Sequence, residues 1–132
     1  MNAKDRQALQ IERLRKFDKA VYDTRINCGE TQAFTFTYNG NPDELEGFKI
    51  HCKTCTKVKM EGNVFVITYS APACVDYTEN KDRGETQLSY TSSVSVYFKD
   101  GQPLQNFNDA GELRENPDKV PVSLQIRSTI LI

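Results

Sequence analysis

Residues 27–69, NCGETQAFTFTYNGNPDELEGFKIHCKTCTKVKMEGNVFVITY, decide the fold of this chain. Turn sequences divide this stretch into short segments in which apolar and polar residues alternate. The clearest segment is residues 32–38, where Phe34, Phe36 and Tyr38 alternate with small residues. Because successive side chains of a strand point to opposite faces, this period of two predicts one buried and one hydrated face. The stretch therefore predicts the first half of an antiparallel β-sandwich.

Further strands are predicted on both sides of this stretch. Residues 20–27 form a first strand, and residues 64–69 form a central strand because both of its faces are apolar. The last strand is the most regular, and its apolar residues share one parity that Ser128 breaks: Val120, Val122, Leu124, Ile126, Ile130 and Ile132. About seven strands with no strong helix between them predict an all-β fold, a single immunoglobulin-like antiparallel sandwich.

Residues 1–19 differ from the rest because they contain neither glycine nor proline and repeat an apolar residue every third position. Asn2 is a candidate helix cap, with Asp5 three residues later. We therefore predict an N-terminal helical arm at residues 1–19, ahead of the sandwich domain at residues 20–132. Two interpretations stay open, because the arm could lean on its own sandwich or dock on a neighbouring subunit.

Composition and charge exclude several classes of function. With 132 residues the chain suits one domain, and 17 basic against 18 acidic residues give a net charge of −1. Bulk nucleic-acid binding needs a dominant basic surface, so no nucleic-acid partner is expected. No apolar run approaches the ~20 residues of a membrane span, and the N-terminus is too polar for a signal peptide. We expect a protein that is cytoplasmic as synthesised and has no membrane partner.

Four cysteines are present, at Cys28, Cys52, Cys55 and Cys74. Without an export signal, free thiols or metal ligands are expected over disulfides. The Cys52/Cys55 pair has the spacing of half a tetrahedral zinc site, but no second pair of ligands follows it. Three states of these thiols stay open: structural or free thiols, a zinc site, and a disulfide within the group of Cys28, Cys52 and Cys55.

No pattern in the chain predicts catalysis. His51, the only histidine, is out of phase with Phe48 and Ile50, so it should face away from them and from Cys52. The carboxylates are scattered through turns, and no glycine-rich phosphate loop appears. We therefore expect no catalytic, cofactor-binding or metal-binding residues. The polar loop at residues 103–119 is long enough to be a candidate binding loop.

The order of motifs resembles a known group of immunoglobulin folds. The segments in order are Phe17 and Tyr22, Gly29-Glu30, Phe34 and Phe36, Asn39-Gly40, Phe48 and Ile50, Cys52-Lys53-Thr54-Cys55-Thr56, and Tyr69 to Pro72. This pattern is similar to the major-sperm-protein-like group, and within it to a bacterial domain of unknown function marked by Cys-Gly-Cys-Thr. The cysteine motif here is one residue longer. The resemblance covers roughly residues 16–132 and implies the sandwich fold and a role in docking or assembly.

These observations favour a non-enzymatic structural or interaction module with protein partners, further copies of itself among them. A subunit of a larger assembly is one concrete case, for example a phage virion accessory protein of the capsid, neck or tail. One alternative is a small zinc-binding or thiol-redox protein that uses Cys52 and Cys55. The other alternative is a secreted or periplasmic ligand-binding domain.

Overall fold

The computed structural model describes residues 2–51, 56–71, 87–99 and 120–131. Within these residues the chain forms one α-helix, a short 3-10 helix at Pro42–Glu44 and seven strands. The elements are α1 (Ala3–Leu14), β1 (Val21–Asn27), β2 (Thr31–Thr37), β3 (Leu45–Ile50), β4 (Thr56–Glu61), β5 (Val64–Ser70), β6 (Gln87–Phe98) and β7 (Val122–Leu131). One sheet has the order β1-β7-β6-β3 and the other the order β2-β5-β4. The predicted all-β immunoglobulin-like sandwich is confirmed, and β5 is central in its sheet as predicted.

The pairing of β1 differs from the antiparallel prediction. β1 pairs with β7 in parallel, from Val21 opposite Gln125 to Asn27 opposite Leu131, while the other strand pairs are antiparallel. The reason is a crossover ahead of β1. Phe17 forms an antiparallel bridge with Tyr38, beside β2, and the chain then moves to the other sheet. Alternation along a strand does not encode this change of sheet.

The core lies between the two sheets and is built from the alternating positions that the sequence predicts. Its largest fully buried side chains are Tyr38, Tyr69, Phe36, Phe65, Ile26, Ile67, Leu124, Ile126 and Ile130. Each buried side chain of this size contributes about 1.5–3 kcal/mol relative to an exposed one. Burial of the aromatic and aliphatic faces therefore holds the two sheets together.

Ser128, which breaks the apolar parity of β7, is buried rather than exposed. Its hydroxyl donates to the carbonyl oxygen of Tyr90 at 2.9 Å and lies 2.8 Å from the hydroxyl of Tyr69 in the opposite sheet. A second buried pair, Thr56 and Ser92, joins the sheets through their hydroxyls. Buried polar groups are stable only with partners, so these bonds restrict how the two sheets can pack.

Helix α1 contacts its own sandwich. The Asn2 side chain accepts a hydrogen bond from the amide of Asp5 at 2.8 Å, which confirms the predicted cap. Arg13 donates through Nη1 to the carbonyl oxygen of Val120 at 2.6 Å, and its guanidinium carbon lies 4.4 Å from the ring centre of Phe98. The helix itself buries no residue. The division of the chain into an arm at residues 1–19 and a domain at residues 20–132 stays a prediction.

The turn after β2 depends on a close approach rather than on an unusual backbone angle. A Cβ atom on Gly40 would lie 2.5 Å from the ring of Tyr38, which is fully buried. The Tyr38 hydroxyl donates to Glu44 Oε2 at 2.6 Å. Burial, together with this bond to Glu44, raises the pKa of Tyr38, so the phenol stays protonated.

Candidate functional site

The face of the four-stranded sheet that points away from the core is polar. We call its polar part the outer face, and this part consists of Asp23, Arg25, Lys49, His51, Ser89, Thr91, Ser93, Ser95, Ser123, Gln125, Arg127 and Thr129. Val21, Leu131 and the buried Tyr97 share the parity of these positions. The outer face arises because the residues between these positions are the ones that build the core. Hydroxyl and amide groups dominate it, and each of them can donate and accept hydrogen bonds. The outer face is therefore suited to contact with a polar surface.

A shallow depression of about 530 Å³ lies on the outer face where β1, β7 and β6 run side by side. Small side chains form part of its lining, among them Ser89, Thr91 and Thr129. Arg25 and Arg127 line it as well. Short hydroxyl side chains between long arginines leave room for a partner's side chain.

The two arginines differ in their partners. Arg127 pairs with Asp23 on the neighbouring strand, with 3.1 Å from Nε to Oδ1 and 3.4 Å from Nη2 to Oδ2. Both side chains are more than half exposed, so the pair contributes little stability but does orient the guanidinium. Arg25 lies opposite Thr129 and makes no ion pair within the described parts of the chain. Among the described residues, no group occupies its guanidinium donors, which can therefore bind an acidic partner.

His51 lies on the outer face at the end of β3, as its phase predicts. Its Nε2 atom is 2.6 Å from the hydroxyl of Ser95 on β6, and the side chain is exposed. Phe48, three residues earlier and on the opposite face of the strand, packs against the core. The bond to Ser95 restrains the ring, which adds a hydrogen-bonding group to the outer face.

A smaller crevice of about 220 Å³ separates α1 from the end of the sandwich. Arg13 and Lys16 from the helix side line it, as do Tyr38 and Glu44 from the turn after β2. Lys16 Nζ lies 3.8 Å from Glu44 Oε2, which also accepts from Tyr38. These contacts are internal to the chain, so the crevice belongs to the docking of α1.

The preference for a free thiol or metal ligand over a disulfide is wrong for Cys28, which is disulfide-bonded, a disulfide being the third of the states left open. Its partner lies outside the described residues, as do Cys52, Cys55 and Cys74 and the predicted binding loop at residues 103–119. Pairing of Cys28 depends on which cysteine the fold brings near it, whereas the prediction rested on an inferred compartment. Among the described residues, no three His, Cys, Asp or Glu side chains are grouped so that they could hold a metal ion.

The alternation of the last strand puts Arg127 on its hydrated parity, but it does not join Arg127 with Arg25 and Asp23. The sequence does contain one indication of this site, because each of two strands has an arginine at an outward position. Only the parallel pairing of β1 with β7 shows that the two arginines share one depression. No helix in the described part of the chain has the length and apolar character needed to cross a membrane.

No family model matches the chain, and no curated protein matches it. One solved structure of similar shape is described as a GspB Siglec domain; it has a TM-score of 0.37 and 14% identity, over 86% of this chain and 56% of that chain. The chain thus spans little more than half of that structure. This similarity carries no argument about function. The resemblance to the major-sperm-protein-like group and its Cys-Gly-Cys-Thr domain has no support in these comparisons and stays a prediction.

Proposed function

We propose that this chain is a non-enzymatic interaction module that binds a partner protein through the outer face of the four-stranded sheet. The depression beside Arg25 carries the proposal, because it joins an arginine without an ion pair in the described residues to an array of hydroxyl groups. A planar guanidinium binds carboxylates through two parallel hydrogen bonds, and arginine is enriched in protein interfaces. The expected partner therefore presents acidic and polar side chains to this face.

The composition of the outer face indicates the kind of interface. Obligate interfaces resemble a domain core and are apolar, whereas polar interfaces are typical of partners that also exist apart. The outer face carries serine, threonine and charged side chains at its centre. We therefore propose a subunit that joins a larger assembly after it has folded. A phage virion accessory protein of the capsid, neck or tail is the concrete case that we put forward.

The disulfide of Cys28 bears on where such an assembly would be found. Disulfides persist in secreted proteins, in the periplasm and on virion surfaces, and they are rare in the cytosol. This observation supports the virion setting over a purely cytoplasmic one. It equally favours the second candidate, a secreted or periplasmic ligand-binding domain. For the zinc or thiol-redox alternative, it removes the Cys28 thiolate from the set of possible ligands.

The test compares two charge reversals in a native pull-down from the source organism. Arg25→Glu reverses the exposed arginine of the depression, and Lys57→Glu makes the same change on β4, an exposed position of the other sheet. We expect the wild type and Lys57→Glu to retain the same partner, and Arg25→Glu to lose it. Equal retention by all three proteins, or no partner at all, would refute the proposal. Metal analysis of the same sample tests the zinc alternative, which requires bound zinc.

A further inference from the structure

Natural sandwiches protect the edges of their sheets, and among the strands that the structure describes, three of the four edge strands are protected. β4 presents charged side chains at Lys57, Lys59 and Glu61, and all three are exposed. β3 has a register shift between Leu45 and Gly47, which interrupts regular pairing. β1 carries exposed charges on its outward positions. An incoming strand would therefore meet charge or irregular backbone at each of these edges.

The fourth edge strand, β2, has none of these protections. Its sequence TQAFTFT contains no charged residue, proline or glycine. It pairs with β5 in an unbroken register from Thr31 opposite Ser70 to Thr37 opposite Val64. A straight, uncharged edge is the kind of strand that accepts a further strand.

The hydrogen-bond phase shows which backbone groups of β2 point to the free edge. The ladder with β5 continues at both ends, where Ala71 N–H donates to Glu30 O and Tyr38 N–H donates to Asn63 O, each at 2.8 Å. Antiparallel pairs alternate between bonded and non-bonded, so the even-numbered residues bond to β5. The backbone groups of Thr31, Ala33, Thr35 and Thr37 therefore point outward.

The chain itself covers one end of this edge. Asp18 accepts from the Thr37 amide through Oδ1 and donates its own amide to the Thr37 carbonyl, both at 2.9 Å. The Tyr22 hydroxyl donates to the carbonyl of Thr35 at 2.7 Å. These contacts agree with the assigned phase. They leave the backbone groups of Thr31 and Ala33 and the amide of Thr35 without a protein partner in the described residues.

We propose that two copies of this chain pair through β2, antiparallel, with a two-fold axis at Ala33. The uncovered residues form the palindrome Thr31-Ala33-Thr35, so a two-fold axis at Ala33 places each threonine opposite a threonine of the second copy. Ala33 then exchanges two hydrogen bonds with its own counterpart. No like charges oppose each other, and threonine pairs are favourable across strands. The second copy joins the two three-stranded sheets into one continuous sheet.

A self-complementary edge favours a second copy over an unrelated strand. Closed two-fold interfaces require that the same patch serve both partners, and this palindrome meets that requirement. The bond from Tyr22 is compatible with pairing, because a carbonyl oxygen has a second lone pair. The interface lies on the three-stranded sheet and is separate from the outer face. Pairing through β2 and partner binding through the outer face can therefore be tested independently.

The test uses opposite charges at the two-fold axis, with self-association measured by sedimentation. In Ala33→Lys and Ala33→Glu, like charges oppose each other across the two-fold axis, where the paired Cα atoms lie about 5.5 Å apart. A charge separation of about that size weakens each homodimer about fourfold in water. An equimolar mixture places lysine opposite glutamate, so the mixed dimer should be more than about tenfold tighter than either homodimer. The matched controls are Ala8→Lys and Ala8→Glu, at an exposed position of α1 outside both proposed interfaces, which should associate like the wild type.

Hydrogen exchange provides a second measurement on the unmodified protein. The amides of Thr31 and Ala33 should become protected as protein concentration rises, while the amides of central β5 stay protected throughout. Arg25→Glu should leave this behaviour unchanged. A wild type that remains monomeric at high concentration, a mixture no tighter than its components, or concentration-independent exchange at Ala33 would each overturn the proposal.

Discussion

Replacing Arg13 by alanine should release helix α1 from the sandwich. The helix fully buries no residue, and its attachment depends on contacts at its C-terminal half, where the partly buried Leu14 packs against the core. Arg13 makes two of them, the 2.6 Å hydrogen bond to the Val120 carbonyl and the 4.4 Å stacking over the Phe98 ring. Gln10 adds a hydrogen bond of 3.2 Å to the Pro121 carbonyl. Loss of Arg13 therefore removes the stronger of these polar contacts between α1 and the sandwich.

The size of the effect follows from these contacts. A hydrogen bond from a charged donor contributes about 1.5–3 kcal/mol, and a cation–π contact contributes about 0.5–2 kcal/mol. Freeing the helix returns conformational entropy, because a 12-residue helix is marginal by itself. We therefore expect Arg13→Ala to lower the free energy of unfolding by about 2 kcal/mol, the lower end of the sum of these contacts.

The assay is urea unfolding together with amide hydrogen exchange of α1. Arg15→Ala is the matched control, because Arg15 is exposed and its removal changes the net charge equally. The stability of Arg13→Lys should be intermediate, since lysine keeps the charge but lacks the planar guanidinium group. The reasoning is refuted if Arg15→Ala costs as much as Arg13→Ala, or if α1 keeps its protection in Arg13→Ala.

Three further changes test the interior. Gly40→Ala should lower the free energy of unfolding by about 1–3 kcal/mol, because the new Cβ would lie 2.5 Å from the packed ring of Tyr38. An unchanged midpoint of urea unfolding would contradict this. Ser128→Ala removes this partner from the buried hydroxyl of Tyr69 and should lower the free energy of unfolding by about 1–3 kcal/mol. Adding Tyr69→Phe to that variant should lower it little further. A double-mutant cycle measures this difference. Cys28→Ser should lower stability by about 2–5 kcal/mol, and a reductant should destabilise the wild type more than this variant in thermal unfolding.

The outer face shows how much of the candidate site was predictable. The alternation of residues 120–132 placed Arg127 outward, and the structure confirms that it is exposed. Its neighbours could not be predicted, because Asp23 lies more than a hundred residues away along the chain and meets Arg127 only through the parallel pairing of β1 with β7. The same pairing brings Arg25 to the depression.

The amino-acid sequence by itself determined the strands, their buried faces, the central place of β5 and the cap of α1. These properties are local, since a period of two and a capping side chain act within a few residues. Only the tertiary structure decided the parallel partner of β1, the disulfide of Cys28, the inward hydroxyl of Ser128 and the edge at Ala33, which no other described residue covers. Each of these depends on which distant segment becomes a neighbour, and alternation along a strand carries no information about that choice.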